Sequence, residues 1–249
     1  MNQRSRIISL DVHRLTFEDC LENIVNLSKL HSPSYVCFAN AHMVIEAHEN
    51  AKFRTQVNDA TLVVADGSPV AKACKWLYGT TQERIAGMNF MPAILQKANE
   101  HHLAVFLYGS SEETLSKLSI LIADKYPGVK LAGAISPPFR PLSNDEHDSF
   151  VYQINEAKPN LVLVALGCPK QEKWMADNFK KINATLLGLG GAFAVMAGVQ
   201  KRAPVWMQKY SLEWLFRLIQ EPKRLWKRYL ITNTLFIWLL IKQKLRRGL

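Results

Sequence analysis

A chain of 249 residues, 48% hydrophobic and 21% charged, can bury one large core, or one core with an appendage, and its composition excludes a disordered or fibrous polypeptide. The net charge of +10 is unevenly placed: from Lys209 to Leu249, ten Lys and Arg stand against two acids, Glu213 and Glu221, so that tail carries +8 and everything before it +2. Four scattered cysteines (Cys20, Cys37, Cys74, Cys168) contain no CxxC pair, which argues against a zinc site or a disulfide framework and for a reduced, cytoplasmic setting.

The amino-terminal run Met1–Asp11 lacks the apolar stretch of a secretion signal. Strand-length apolar runs follow at Ile7–Val12, Tyr35–Ala39, Leu62–Ala65, Leu103–Tyr108, Val129–Ala134, Leu161–Leu166 and Thr185–Leu189. Helical patterns lie between them. Thr16-Phe-Glu-Asp19 reads as a capping box ahead of Cys20–Leu27. Met88, Met91, Ile94, Leu95 and Ala98 form one stripe, and Leu115, Leu118, Leu121 and Ile122 another. Strand and helix alternate, so the fold class is α/β, a mostly parallel sheet covered by helices. Near Ala203-Pro204 the composition changes to Trp206, Trp214, Trp226 and Trp238 interleaved with Lys and Arg. A boundary is placed there, between an α/β body (1–203) and a basic, aromatic helical appendage (204–249). The longest apolar stretch, Tyr229–Ile241, is interrupted by Thr232-Asn-Thr234 and falls short of the roughly 20 residues that span a bilayer.

Polar clusters end several strands: Asn40-Ala-His42, Asp66-Gly-Ser68, Gly109-Ser110-Ser111, Gly167-Cys-Pro-Lys170-Gln171-Glu172 and Gly190-Gly191. In a parallel sheet all of them share one rim, where ligands bind. Asp66 follows four apolar residues, so it can serve as a general base with a raised pKa or as a cap for the helix opening at Pro69, the commoner use of such an aspartate. Arg84 can clamp a phosphate or carboxylate, or pair with a neighbour such as Glu83. No HExxH and no Asp-x-Asp occurs, and Gly188-Leu-Gly190-Gly191-Ala-Phe193 misses the third glycine of GxGxxG. Neither a metal nor a bound cofactor is expected. The tail suits an anionic membrane surface or nucleic acid; Leu235–Ile241 is too apolar for a nucleic-acid groove, so membrane is favoured and no nucleic-acid partner is expected.

In this order, Asn40-Ala-His42, Ala65-Asp66-Gly67, Glu83-Arg84-Ile-Ala-Gly87, Gly167-Cys-Pro-Lys-Gln171-Glu172, Gly190-Gly191-Ala-Phe193, Lys201-Arg-Ala-Pro204, Glu213-Trp-Leu-Phe-Arg217 and Glu221-Pro-Lys-Arg224 resemble the WecG/TagA/CpsF family of bacterial glycosyltransferases, from about Ile8 to Tyr229. The resemblance implies a Rossmann-like fold with a membrane-associating carboxyl-terminal appendage. It implies an inverting, metal-independent transfer from a UDP-sugar to a polyprenyl-diphosphate-linked sugar, at the cytoplasmic face of the membrane, in synthesis of cell-surface polysaccharide or teichoic acid. The sugar is of N-acetylmannosamine, N-acetylmannosaminuronate or hexose type, and the oligomeric state, homo-oligomer included, stays open. By the same resemblance Asp66 is the base that deprotonates the acceptor. Asn40, His42, Arg84, Gly109, Ser110, Gly167, Lys170, Gln171, Glu172 and Gly190 line the substrates, and Arg217, Arg224 and Lys227 or Arg228 reach the diphosphate. Three places depart from the family pattern: Phe38 stands where Thr is frequent, Lys227-Arg228 where a second arginine follows EPxR, and Tyr108-Gly109-Ser110-Ser111 is more polar than the usual glycine-rich turn. The rival reading is a nucleotide-cofactor enzyme using NAD or S-adenosylmethionine; a basic nucleic-acid-binding scaffold ranks below it.

Overall fold

The computed structural model describes residues 3–247, the side chain of Arg224 excepted. The chain runs β1 (Arg4–Ile7), β2 (Leu10–His13), α1 (Phe17–Lys29), β3 (Ser34–Ala39), α2 (Ala41–Glu49), α3 (Ala51–Asn58), β4 (Leu62–Ala65), α4 (Ser68–Tyr78), α5 (Gly87–Glu100), β5 (Ala104–Gly109), α6 (Glu112–Lys125), β6 (Lys130–Ile135), α7 (Asn144–Glu156), β7 (Leu161–Ala165), α8 (Lys170–Asn178), β8 (Thr185–Gly188), α9 (Ala192–Met196), α10 (Val205–Lys209), α11 (Glu213–Gln220) and α12 (Pro222–Arg247). Six strands form a parallel sheet in the order β4-β3-β8-β7-β5-β6. β3, β4, β5 and β8 are buried along their whole length, as strands covered on both faces must be. One face packs under α2, α3, α4 and α8, the other under α1, α5, α6 and α9.

The first expected strand is corrected. Ile7–Val12 is not continuous: Ile8 has φ 55°, and the chain folds back so that Ile7 pairs with Leu10 in an antiparallel hairpin. The apolar run is real, because Ile7, Leu10 and Val12 are all buried, but a two-residue reversal left no Gly or Asn to mark it. The hairpin closes the edge of the main sheet by another route: the imidazole of His13 accepts the Val63 N–H at 3.0 Å. Burial first, then Arg4, pushes the His13 pKa down to about 4, which keeps an acceptor nitrogen available.

The capping box at Thr16 forms as the spacing predicts: the Thr16 side chain accepts from the Asp19 N–H and the Asp19 side chain from the Thr16 N–H. In the tail, Leu225, Thr232, Phe236 and Leu239 of α12 are buried, and α12 lies along α2. Its far end is fastened as well. Gln243 accepts from the Ile8 N–H at 2.8 Å and donates to the Arg6 carbonyl at 2.8 Å, and Lys244 donates to the Trp76 carbonyl at 2.9 Å. No helix among the described residues is long and apolar enough to cross a membrane.

Candidate active site

At the carboxyl ends of the strands the polar clusters stand side by side in sheet order: Asp66 after β4, Asn40 after β3, Gly190 after β8, the Gly167 turn after β7, and Gly109-Ser110 after β5. The neighbours β3 and β8 send their next helices, α2 and α9, to opposite faces. That divergence opens the crevice in which doubly wound sheets bind ligands.

Asp66 does not cap the helix that follows it. α4 begins after Gly67 with no side-chain cap, and Asp66 Oδ1 instead accepts the N–H of Gly87, first residue of α5, at 2.9 Å. Loss of water raises the Asp66 pKa. The Gly87 N–H, Arg84 and Arg217 pull it back, and Glu213 pushes it up again. Burial dominates, so this carboxylate holds a proton more readily than an ordinary aspartate, which suits a general base. Asn40 stands next to it: a Cβ on Gly67 would lie 3.4 Å from that of Asn40. Asn40 Oδ1 accepts the Met43 N–H at 3.1 Å, capping α2.

Arg84, half-buried, does not pair with Glu83. Glu83 is taken by the Phe17 N–H at 2.7 Å. The Arg84 Nε donates to the Asp66 carbonyl at 2.9 Å, and its Nη2 forms an ion pair with Glu213 of α11. Arg217 lies one turn after Glu213, on the same face of α11. A Cβ on Gly191 would stand 3.0 Å from its Nη2, so the second glycine leaves room for that guanidinium. EWxxR is thus one helical face that delivers a carboxylate and a guanidinium to the rim. Sequence reasoning selected Arg217 and overlooked Glu213; the i,i+4 spacing was the available signal.

Around β7, Gln171 is buried and its amide is committed. Oε1 accepts the Gly167 N–H at 3.2 Å, while Nε2 donates to the Gly188 carbonyl at 3.0 Å and to Glu172 Oε1 at 2.7 Å. The amide ties the β7 turn to the end of β8. Glu172 is wholly buried, and burial, opposed by hydrogen bonds from Gln171 and Cys168, raises its pKa to about 7. A carboxyl whose pKa is higher folded than unfolded contributes stability that is full below the ordinary 4.5 and lost as pH rises through about 7. Glu172→Gln is therefore expected to flatten the fall in Tm across that window, as read by thermal denaturation at stepped pH; an unchanged slope would show that another group sets it.

Lys170 is exposed at the start of α8. Ser110 has φ 68° and its carbonyl accepts from Ser136 Oγ at 2.8 Å. His42 faces Glu46 at 3.8 Å, and burial followed by Arg228 drives its pKa down to about 4, so it is neutral. Arg228 is half-buried and influences both His42 and Cys168, whereas Lys227 is exposed with its ammonium 5.4 Å from the centre of the Trp226 ring. Arg224 lies outside the described side chains. Phe38 is buried against Phe90, ring centres 5.2 Å apart, as a core residue under α5.

Two relatives are both named N-acetylglucosaminyldiphosphoundecaprenol N-acetyl-beta-D-mannosaminyltransferase. That from Staphylococcus aureus (strain MW2) is 30% identical over 88% of this chain and 85% of its own length. That from Bacillus subtilis (strain 168) is 33% identical over 77% and 73%. The model of the glycosyl transferase WecG/TagA/CpsF family matches residues 5–249, and the chain belongs to that family of glycosyltransferases.

Proposed function

We propose that this chain transfers N-acetylmannosamine from UDP to N-acetylglucosaminyl-diphospho-undecaprenol, with inversion and without a metal. The observation that carries the reading is the Asp66 carboxylate, its pKa raised at a strand end, with Arg84 and Arg217 close enough to act on it. The names of the two relatives supply the sugar and the acceptor.

Asp66 takes the proton from the acceptor hydroxyl, whose oxygen attacks the anomeric carbon of the donor. The bond from that carbon to the diphosphate oxygen breaks on the opposite side, and UDP departs with the electron pair. Charge gathers on the diphosphate, and in this reading Arg217 and Arg228 supply the positive charge that neutralises it. Arg228, turned toward the body, suits this better than the exposed Lys227. Asn40, Arg84, Gly109, Ser110 and Gly190 shape the crevice, and Gln171 and Glu172 hold it from below.

The acceptor is a lipid, and α12 supports a berth at the membrane that carries it. Trp226, Leu230, Ile237, Ile241 and Leu245 are exposed and recur at helical spacing on the side of α12 opposite its buried face. With Trp238 exposed beside Lys242, this is an interfacial helix, apolar outward and basic along its flank. The reading places the enzyme peripherally on the cytoplasmic face.

The test is transfer by the purified chain from UDP-N-acetylmannosamine to the polyprenyl acceptor in phosphatidylglycerol vesicles, with and without EDTA. Product is expected in both, and less in purely zwitterionic vesicles. Loss with EDTA restored by magnesium would refute the metal-free route. Binding of NAD or S-adenosylmethionine, with none of UDP, would overturn the assignment.

A further inference from the structure

Residues 80–86, between α4 and α5, have no helix or strand of their own, yet this segment wraps the end of β4. The Ile85 N–H donates to the Ala65 carbonyl at 2.8 Å, Arg84 Nε to the Asp66 carbonyl at 2.9 Å, and the Gly87 N–H to Asp66 Oδ1 at 2.9 Å. The segment is tied to the start of α1, where Gln82 Nε2 donates to the Leu15 carbonyl at 2.8 Å and Glu83 accepts the Phe17 N–H at 2.7 Å, and Arg84 ties it to a further element. Arg84 has two ends: one is on the Asp66 main chain and the other on Glu213, 129 residues away in the appendage. The Glu213 side chain is 14% exposed and that of Arg84 30%, so the pair is partly shielded and less screened than a fully exposed surface ion pair.

We propose that Glu213 is a positioning residue: it holds Arg84 against the Asp66 carbonyl and so fixes the place and the charge surroundings of the Asp66 carboxylate. This rests on the reading of Asp66 as the base. Without the Glu213 carboxylate Arg84 loses its counter-ion, and the clasp on Asp66 loses the one tie that runs through α11. The charged groups that act on Asp66 are Arg84, Arg217 and Glu213, so removing the Glu213 charge lowers the pH at which Asp66 gives up its proton.

The experiment is steady-state kinetics across pH on the full chain, comparing Glu213→Gln, Glu213→Asp, Arg84→Ala and the double variant Glu213→Gln/Arg84→Ala, with Tm and vesicle binding measured for each. Glu213→Gln is expected to lower kcat by about 10–100-fold, the scale of a misplacement near 1 Å, with a smaller change in the donor KM. The acid limb of its profile moves to lower pH, and Glu213→Asp recovers part of the rate. The double variant is no slower than Arg84→Ala alone, because both changes cut the same link. Wild-type kcat in Glu213→Gln, or losses that multiply in the double variant, would overturn the inference. So would a rate loss that follows Tm and vesicle binding with the acid limb unmoved, since Glu213 would then only fasten α11. If Asp66→Asn keeps wild-type turnover, the base reading falls and the inference with it. If Asp66→Asn is inactive while Glu213→Gln is normal, the inference alone falls.

Discussion

Asp66→Asn is expected to lower kcat by roughly 10²–10⁴-fold, the usual worth of a positioned general base, while UDP affinity stays close to that of the parent. Asparagine has nearly the same shape, and its side-chain oxygen can still accept the Gly87 N–H that Oδ1 accepts at 2.9 Å. The clasp around β4 therefore survives, and what is lost is the group that takes a proton. In the parent, the rate should fall as pH drops through a pKa above the ordinary aspartate value, because loss of water outweighs the Gly87 N–H and the two arginines. The stability sign is opposite to that of the rate. A carboxyl with a raised folded-state pKa costs stability as pH rises through it, so the asparagine variant should melt no lower than the parent at neutral pH. Calorimetric UDP binding, turnover and Tm on one preparation test all three; wild-type turnover would remove Asp66 as the base.

The second large effect is on the scaffold. Gly109→Ala is expected to cost on the order of 2–4 kcal/mol of folding free energy, a sizeable share of the stability of a typical domain. Gly109 has φ +102°, a region that residues with a side chain rarely adopt, and an added Cβ would lie 2.7 Å from the carbonyl carbon and oxygen of Ala165. Those atoms are main chain of β7, paired with Gly109, and cannot swing aside. Relief requires β5 and β7 to separate at the ends that carry Ser110 and the Gly167 turn, so activity should fall with stability. A urea midpoint equal to that of the parent would show that the turn opens at no cost.

Much of this molecule is legible in one dimension. A strand covered on both faces must be apolar throughout, so β3, β4, β5, β7 and β8 announce themselves, and a parallel sheet then gathers their carboxyl ends on one rim whatever the strand order. The polar clusters at Asn40, Asp66, Gly109, Gly167 and Gly190 could be grouped for that reason, and the motif series gave the family. The Ile8–Ser9 reversal escaped because burial on one side of a hairpin leaves the same apolar signature as a single strand. Phe38 could not be placed until α5 and Phe90 were seen above it.

Partnership is what the fold alone decided. Asp66 looked like a cap for the helix just after it, by local preference, and caps instead the start of α5. Arg84 had Glu83 beside it in sequence and pairs with a residue 129 positions away. Gln171 and Glu172, polar and next to a strand end, turned inward to join β7 to β8. The sequence by itself determined which residues must be buried and which clusters reach the rim, because burial and strand direction are properties of single segments. Which charges meet there was settled by the packing of α11 and α12 on the body. Pairing depends on distances between segments, and residue spacing along the chain carries no such information.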